Sequence, residues 1–364
     1  VRFQLPLLGE SRDNISAQLV YDGTGTVLIP HGTPRSDQMQ GTVLERLAEL
    51  AGRTCYDSLG QGRNSKEFHK HILEVNHLSV WRHCNFSFYI DPIQQLQLDL
   101  SHRLINRPGV WVEKHEHGGY NVQMNVQAAI EYLDQCHAGY LSTYVYSSLC
   151  KYSPQAIAED LPIEELSIEG WKGKQSEEMQ WVSLFVQCSR NCSHEFVRHS
   201  WRCAVSQRST RYCDESNGIF VDHPLLDGDI AWEGVPFEIV ERLWDATDGI
   251  QDRQRELYTE LVYHLENSLI RRCTDKLTAR KQARGAARGV LPSCLQTEFL
   301  FSASVAQWKR MINQRLTDAA DAEIRTVFEQ VVYALQESQY KNQFECNLVE
   351  AEDGCGVVLA ERLF

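Results

Sequence analysis

The sequence contains no apolar run approaching the ~18 residues that a membrane-crossing helix needs, and its opening stretch VRFQLPLLGESRDN lacks the long apolar core of a secretory leader. The expectation is a cytoplasmic chain without membrane attachment. Proline and glycine are sparse, 10 and 22 in 364 residues, and no repeat or low-complexity tract appears, which excludes a fibrous or largely disordered protein. Although there are 12 cysteines, no CxxC pair occurs. The closest couple, Cys188 and Cys192, reads as buried reduced thiols, because a 41.8 kDa chain builds a core without disulfides. Basic residues are also in deficit: 36 against 49 acids gives a net charge of −13. That balance disfavours nonspecific binding to nucleic acid and makes any local cationic cluster informative.

Periodicity supplies the elements. Ala17 to Tyr21 and Thr26 to Ile29 flank Asp22-Gly23-Thr24-Gly25 and predict a hairpin or two short strands. Val43, Leu44, Leu47, Leu50 and Ala51 predict a helix running to Arg53-Thr54-Cys55-Tyr56. Glu67 to Val75 predicts a shorter helix and Phe86 to Ile90 a strand. Trp244 to Leu269 reads as a long helix. The stripe Ile324, Val327, Phe328, Val331, Val332, Leu335 marks another, with one face on a core. Between Arg271 and Arg288 seven basic residues accompany only Asp275, a pattern that reads as a solvated basic helix face. From Asp91 to about Glu178 the chain is irregular, with Pro92, Pro108, Gly118-Gly119 and Pro154. It carries Trp111, Tyr120, Tyr140, Tyr144, Tyr146 and Trp171, and so is expected to fold as a lobe. The pairs His69/His71 and His115/His117 read as loop histidines rather than metal ligands, since no acid or cysteine set completes a site.

The stretch from Phe196 to Cys213, FVRHSWRCAVSQRSTRYC, holds four arginines and no acid. In an acidic chain such a cluster wants an anion. Guanidinium forks bind phosphate bidentately, and Ser206, Ser209 and Thr210 add hydroxyl donors. Arg198-His199 followed by Ser209-Thr210-Arg211-Tyr212 resembles the signature of the flavin-dependent thymidylate synthases, an Arg-His-Arg triplet followed by Ser-x-Arg-Tyr. The approach Ser189-Arg190-Asn191-Cys192-Ser193-His194 is similar to that family too. So are Arg53-Thr54-Cys55-Tyr56, the block Asn76 to His83 with Phe86-Ser87-Phe88, and Ala287-Arg288-Gly289-Val290-Leu291-Pro292 with Asn313-Gln314-Arg315 and Glu323-Ile324-Arg325. The blocks occur in family order over residues 42–90 and 185–335.

The resemblance implies an α/β (α+β) domain with a mixed sheet flanked by long helices, a large insertion, and a homotetramer with active sites between subunits. It divides the chain into an N-terminal catalytic part (1–90), an insertion (91–184), a C-terminal catalytic part (185–338) and a tail (339–364). It implies reductive methylation at C5 of a uracil nucleotide. Methylenetetrahydrofolate would supply the carbon, reduced FAD the hydride, and NADPH would reduce the flavin. Carried over by position, Arg315, Arg288 and Ser209 are expected to be catalytic. Glu195, Arg198, Gln207, Arg208, Thr210 and Arg211 join them in holding the nucleotide, while His77, Ser79, Arg82, Arg198, His199, Arg202, Ser206 and Arg310 are expected at the flavin.

Departures from the family pattern are specific. Ser200-Trp201 displace the second arginine of the triplet to Arg202. Arg82 replaces a glutamate, and Ser304, Ala306, Arg310 and Ala319 stand at usual flavin positions. Ile90 and Glu195 are 105 positions apart, where family members pass almost directly from strand to motif helix. These changes point to altered duties, and some family members of nucleoside-antibiotic pathways, such as that of polyoxin, methylate UMP as well as dUMP. Two other readings stay open at this stage: a non-methylating flavin and nucleotide binder, and a nucleic-acid module using residues 271–288.

Overall fold

The computed structural model describes residues 14–24, 26–28, 30, 39–60, 62–92, 107–135, 140–157, 167–227 and 232–363. Strand β1 (Ser16–Tyr21) leads to helices α1 (Val43–Tyr56) and α2 (Ser65–Glu74). Leu28 N donates to Val20 O at 2.8 Å, so the chain folds back beside β1, and the described residues 26–28 form no regular strand; Ile29 of that expected strand lies outside the described residues. Both helices begin with reciprocal capping boxes, Thr42 with Glu45 and Asn64 with Glu67, which satisfy otherwise orphaned amides. Gly52 permits their close approach, since an added Cβ would lie 2.6 Å from the Phe68 ring. A 3₁₀ turn (Leu78–His83) then delivers the chain to β2 (Asn85–Ile90).

Strands β3 (Val110–Lys114) and β4 (Tyr120–Asn125), with α3 (Val126–Gln135) and α4 (Tyr140–Tyr152), follow. The strand read at Phe86 to Ile90 pairs with β4, Phe86 opposite Met124 and Phe88 opposite Val122, so it belongs to a separate sheet of order β2-β4-β3. The aromatic-rich segment after Asp91 is thus folded where it is described. Next come β5 (Trp181–Ser189), α5 (Arg190–Phe196), β6 (Cys203–Gln207), α6 (Pro224–Asp227), α7 (Phe237–Arg271), α8 (Lys276–Ala287) and β7 (Gln296–Ser304). Helices α9 (Val305–Arg315) and α10 (Ala322–Gln336) and the ribbon β8 (Leu348–Glu350) with β9 (Val357–Leu359) complete the chain.

The larger sheet has the order β1-β5-β7-β6 and every pairing in it is antiparallel. This corrects the expected mixed sheet. Each strand's neighbour returns in the opposite sense, so no parallel crossover is made among the described residues. Side-chain alternation gives the sheet two coated faces. Val182, Leu184, Val186, Phe299 and Phe301 pack with Phe196 of α5, Trp308 and Ile312 of α9, and the fully buried α10 stripe. Phe185 and Leu300 join α1, the 3₁₀ turn and the second sheet on the other face. The 35-residue α7 differs from a sheet-flanking helix: it packs along α8, and only its Val240 and Tyr258 are buried.

The second face contains a polar node. His83 is fully buried; its Nδ1 bonds Ser302 Oγ at 2.7 Å and its Nε2 bonds Ser206 Oγ at 3.0 Å, while Ser302 donates to Ser183 at 2.6 Å. Burial, with Arg82 nearby, depresses the imidazole from 6.5 to about 3. In the unfolded chain His83 regains its ordinary affinity for protons. Its stabilising contribution is therefore present above pH 6.5 and is lost as pH falls toward 3. Urea unfolding across that window is expected to show stability falling with acid. His83→Gln, which keeps a hydrogen-bonding group without titrating, should flatten the limb by about one proton's worth; identical pH slopes for both proteins would contradict the assignment.

Candidate functional site

Strand β5 ends at Ser189, whose Oγ caps α5 by accepting from Cys192 N at 3.0 Å. Glu323 of α10 fastens this junction, accepting from Ser189 N at 2.8 Å and from its Oγ at 2.6 Å. Cys188, Cys192 and Glu323 place three buried ligand-type atoms within 4.8 Å of one another. Both Glu323 oxygens are already used by Ser189, so this group acts as a brace for the start of α5. The last turn of α5 then presents Glu195.

Arg315, at the end of α9, reaches that turn. Its Nη1 donates to Glu195 Oε2 at 2.5 Å and its Nε donates to His199 Nε2 at 3.0 Å. An imidazole that accepts at Nε2 is neutral, with its proton on Nδ1. Burial first, and the Arg315 cation second, hold His199 down from 6.5 to about 4, in agreement with that tautomer. Glu195, His199 and Arg315, expected around substrate and flavin, are thus one contiguous acceptor and donor array.

Past β6 the signature forms a tight loop. Ser209 N donates to Cys55 O at 3.1 Å, and Tyr212 N and Cys213 N both return to Ser209 O. The loop is thereby tied to the end of α1. Tyr212 meets Tyr56 edge to face, centroids 5.0 Å apart, and Tyr56 Oη bonds His77 Nδ1 at 3.0 Å. Burial lowers the affinity of His77 for protons, so it is neutral as well. Ser79 is half-buried on the adjoining 3₁₀ turn. On the opposite side, Arg284 donates to Tyr212 O through Nη1 and to Asp214 through Nη2 at 2.8 Å, and Lys281 Nζ stands 4.8 Å over the Tyr212 ring. This corrects the reading of 271–288 as only a solvated face: α8 braces the signature.

Six of the eight arginines of the expected site divide into two groups. Arg198, Arg211 and Arg288 are exposed, with no guanidinium ion pair among the described residues. Arg211 runs past Gly285, where an added Cβ would come to 3.9 Å of its Cγ. Arg202, Arg208 and Arg315 are engaged. Arg208, expected on the phosphate, is clamped instead: its Nη1 donates to both Glu215 oxygens at 2.6 Å and its Nη2 to Asp57 at 3.2 Å. Burial opposes that charge, but the Glu215 hydrogen bonds hold the guanidinium above its ordinary value. Ser206, expected at the flavin, is 2% exposed and spent on His83. Gln207 is an internal strut to Ser193 and Thr297, and Thr210 is buried.

Arg82, Arg202 and Arg310, also expected at the flavin, gather elsewhere. Arg82 and Arg202 line a cavity shared with the second sheet, and Arg310 pairs with Glu178 at 2.8 Å while stacking on Trp201. Ser304 is the buried N-cap of α9. The loop reading of His69 and His71 is corrected too. Both lie on α2, His69 buried against Trp81, whereas His115 and His117 flank the β3–β4 turn. Sequence reasoning did not assign Arg190, which lies close enough to Glu215, Arg288 and Arg208 to feel their charges, or the bracing pair Lys281 and Arg284. The spacing of Lys281, Arg284 and Arg288 at three and four residues does place them on one helical face, and that signal was available.

A family model described as "Thymidylate synthase complementing protein" matches residues 39–112 and 168–338. The interval it passes over contains β4, α3 and α4. Proteins named "Flavin-dependent thymidylate synthase" are similar in sequence. That of Mycolicibacterium gilvum (strain PYR-GCK) is 36% identical over 145 residues, 40% of this chain and 53% of the relative. That of Mycobacterium marinum (strain ATCC BAA-535 / M) is 37% identical over 148 residues, 40% and 53% of the two chains. That of Mycolicibacterium vanbaalenii is 32% identical over 177 residues, 48% and 66%. The chain spans about half the length of the first two. With the model matched on both sides of the β4–α4 lobe and across every element that carries the signature loop, the chain belongs to the thymidylate synthase complementing protein family, that of the flavin-dependent thymidylate synthases.

Proposed function

We propose that this protein is an enzyme that methylates C5 of a uracil nucleotide, dUMP or UMP, in a flavin-dependent reaction. The observation that carries the reading is the Glu195, His199 and Arg315 array, which joins the motif helix to the end of α9. A uracil edge offers an imide N–H beside a carbonyl oxygen. Glu195 is an acceptor for the first and Arg315 a donor for the second. A guanidinium at the carbonyl favours the enolate-like charge that makes C5 nucleophilic, a preorganised electrostatic effect. Arg211 and Arg288, exposed and without an ion pair among the described residues, are the cations for the phosphate, with Ser209 Oγ as an added donor.

The residues present fit a flat anionic cofactor: two neutral imidazoles, His77 and His199, the Ser79 hydroxyl, and the exposed Arg198. Bound reduced FAD would supply the hydride, with methylenetetrahydrofolate as carbon donor and NADPH as reductant. The chain's own residues bind and orient. His77, held by Tyr56, presents a rigid uncharged ring edge, and the neutral His199 fixes the Arg315 fork without adding a competing charge. No protein nucleophile is needed. Burial pushes the Cys203 thiol to about 11, and Cys213 to about 12, so both remain protonated at neutral pH.

We further propose a homotetramer in which neighbouring subunits complete the site. The exposed Ile239, Leu243 and Ile250 of α7 give such an assembly apolar surface to cover. The segment 91–184 is read as an insertion beside the site and residues 339–364 as a tail.

Arg315→Ala is expected to abolish methylation of both UMP and dUMP while the protein folds and retains flavin absorbance; full turnover by the variant refutes the role of Arg315. In the same assay, competition between the two nucleotides reads the substrate: comparable use of UMP supports altered duties, and strict rejection of UMP returns the chain to dUMP alone. Replacing Cys203 and Cys213 together by serine should leave measurable turnover. Complete loss from a correctly folded double variant would overturn the absence of a thiol nucleophile.

A further inference from the structure

Where β5 runs into α5, the side chains of Cys188 and Cys192 meet Glu323 of α10. Both sulfurs and a Glu323 oxygen lie within 4.8 Å of one another, all three residues are buried, and both cysteines are free thiols. Among the described residues this is the only group of three or more histidine, cysteine or acidic side chains drawn so close together. None of the three belongs to the side chains expected at the nucleotide or the flavin.

Glu323 lacks a countercharge. At 3% exposure it is a buried carboxylate, and buried charges are paired or coordinate metals. It forms no ion pair among the described residues; His223, whose charge it feels, pairs with Asp321 at 3.1 Å instead. Burial accordingly raises its carboxyl above the ordinary range, with the Ser189 hydrogen bonds opposing. Those two bonds take one acceptor position on each oxygen, and a carboxylate offers about four. The brace to Ser189 therefore orients the carboxylate without exhausting it, in the way that metal-ligating carboxylates are themselves held by hydrogen bonds.

We propose that Cys188, Cys192 and Glu323 bind one zinc ion, with water in the fourth position. Two sulfur ligands select zinc over magnesium or calcium, and a carboxylate oxygen lies within its range of ligands. Bond lengths of about 2.3 Å to sulfur and 2.0–2.2 Å to oxygen set the donors of a tetrahedral site about 3.5–3.8 Å apart. The three groups thus need to close by little more than an ångström at most, roughly the gap between that spacing and the observed limit of 4.8 Å. Thiols ligate only as thiolates. Two S–Zn bonds form as two protons leave to solvent, and the charge of the ion overrides the burial that holds the Cys192 thiol protonated. The ion ties β5, α5 and α10 together at the root of the helix that presents Glu195. This role is structural and does not depend on the proposed methylation.

The full chain, produced in medium supplemented with zinc or with cobalt, kept reduced and then desalted, tests this by its metal content and spectrum. One ion per chain is expected. The cobalt form, read as the difference from the zinc form so that any flavin absorption cancels, should show thiolate-to-metal charge transfer and the visible bands of a four-coordinate ion. The zinc form should unfold at a higher urea concentration than the chelator-stripped chain. Cys188→Ser and Cys192→Ser should each weaken metal retention against a competing chelator by about tenfold or more. Cys273→Ser, which removes an exposed thiol, should leave it unchanged. Glu323→Gln keeps an acceptor for Ser189, should lose the metal as the cysteine variants do, and decides the matter should those fail to fold. Metal content far below one ion per chain, a cobalt spectrum without thiolate bands, or a folded variant of the three residues that holds metal like the parent overturns the proposal.

Discussion

The buried pair between Arg208 and Glu215 is the constraint on which the signature loop rests. Glu215 is 1% exposed and receives Arg208 on both oxygens, and its backbone N–H donates to Tyr258 Oη at 3.3 Å. Tyr258 is one of the two buried residues of α7. The long, mostly exposed helix is thereby linked to the loop through Tyr258, and Arg255 adds a bond to Gly218 O just beyond it. A buried ion pair is weak evidence for net stability, because desolvation offsets much of the attraction. Removing one partner, however, strands the other charge, at a cost of about 3–5 kcal/mol. Here the pair fixes loop geometry: with Arg208 turned inward and the backbone tied to Cys55, the side chain of Arg211 faces out.

The electrostatic design follows from that division. Cations that hold the protein together are paired, as with Arg208 and Arg284, or stacked, as with Arg202. Arg198, Arg211 and Arg288 stay exposed and, among the described residues, outside any ion pair, in a chain with a large surplus of acid. The histidines around them are kept uncharged by burial, so the positive potential comes from arginines, whose charge does not change over the physiological pH range. Raised thiols complete the picture.

Much of this was legible in the sequence. The helix ending at Tyr56, the α10 stripe and the signature could be read because local periodicity and motif spacing encode them directly. The direction of strand pairing could not. Phe86 to Ile90 looks like any half-buried strand, and its partner, β4, lies beyond an irregular stretch that gives no local signal of pairing. Arg208 and Arg211 are equally basic neighbours in the motif, and only the three-dimensional proximity of Glu215 and Asp57 shows that one of them is held in an ion pair. Likewise Ser206 reads as a hydroxyl donor until the fold buries it on His83. Arg82, Arg202 and Arg310 were recognised as departures from the family pattern, but their destination depended on a lobe whose fold no motif announces.

We propose that Arg208, turned inward onto Glu215, leaves Arg211 to grip a nucleotide phosphate. The most direct test is the dissociation constant of dUMP, measured by calorimetry for the flavin-loaded parent and for Arg211→Gln at several salt concentrations. Loss of a phosphate contact predicts roughly 10- to 100-fold weaker binding and a shallower salt dependence. Unchanged affinity and unchanged salt dependence in a folded variant would contradict it.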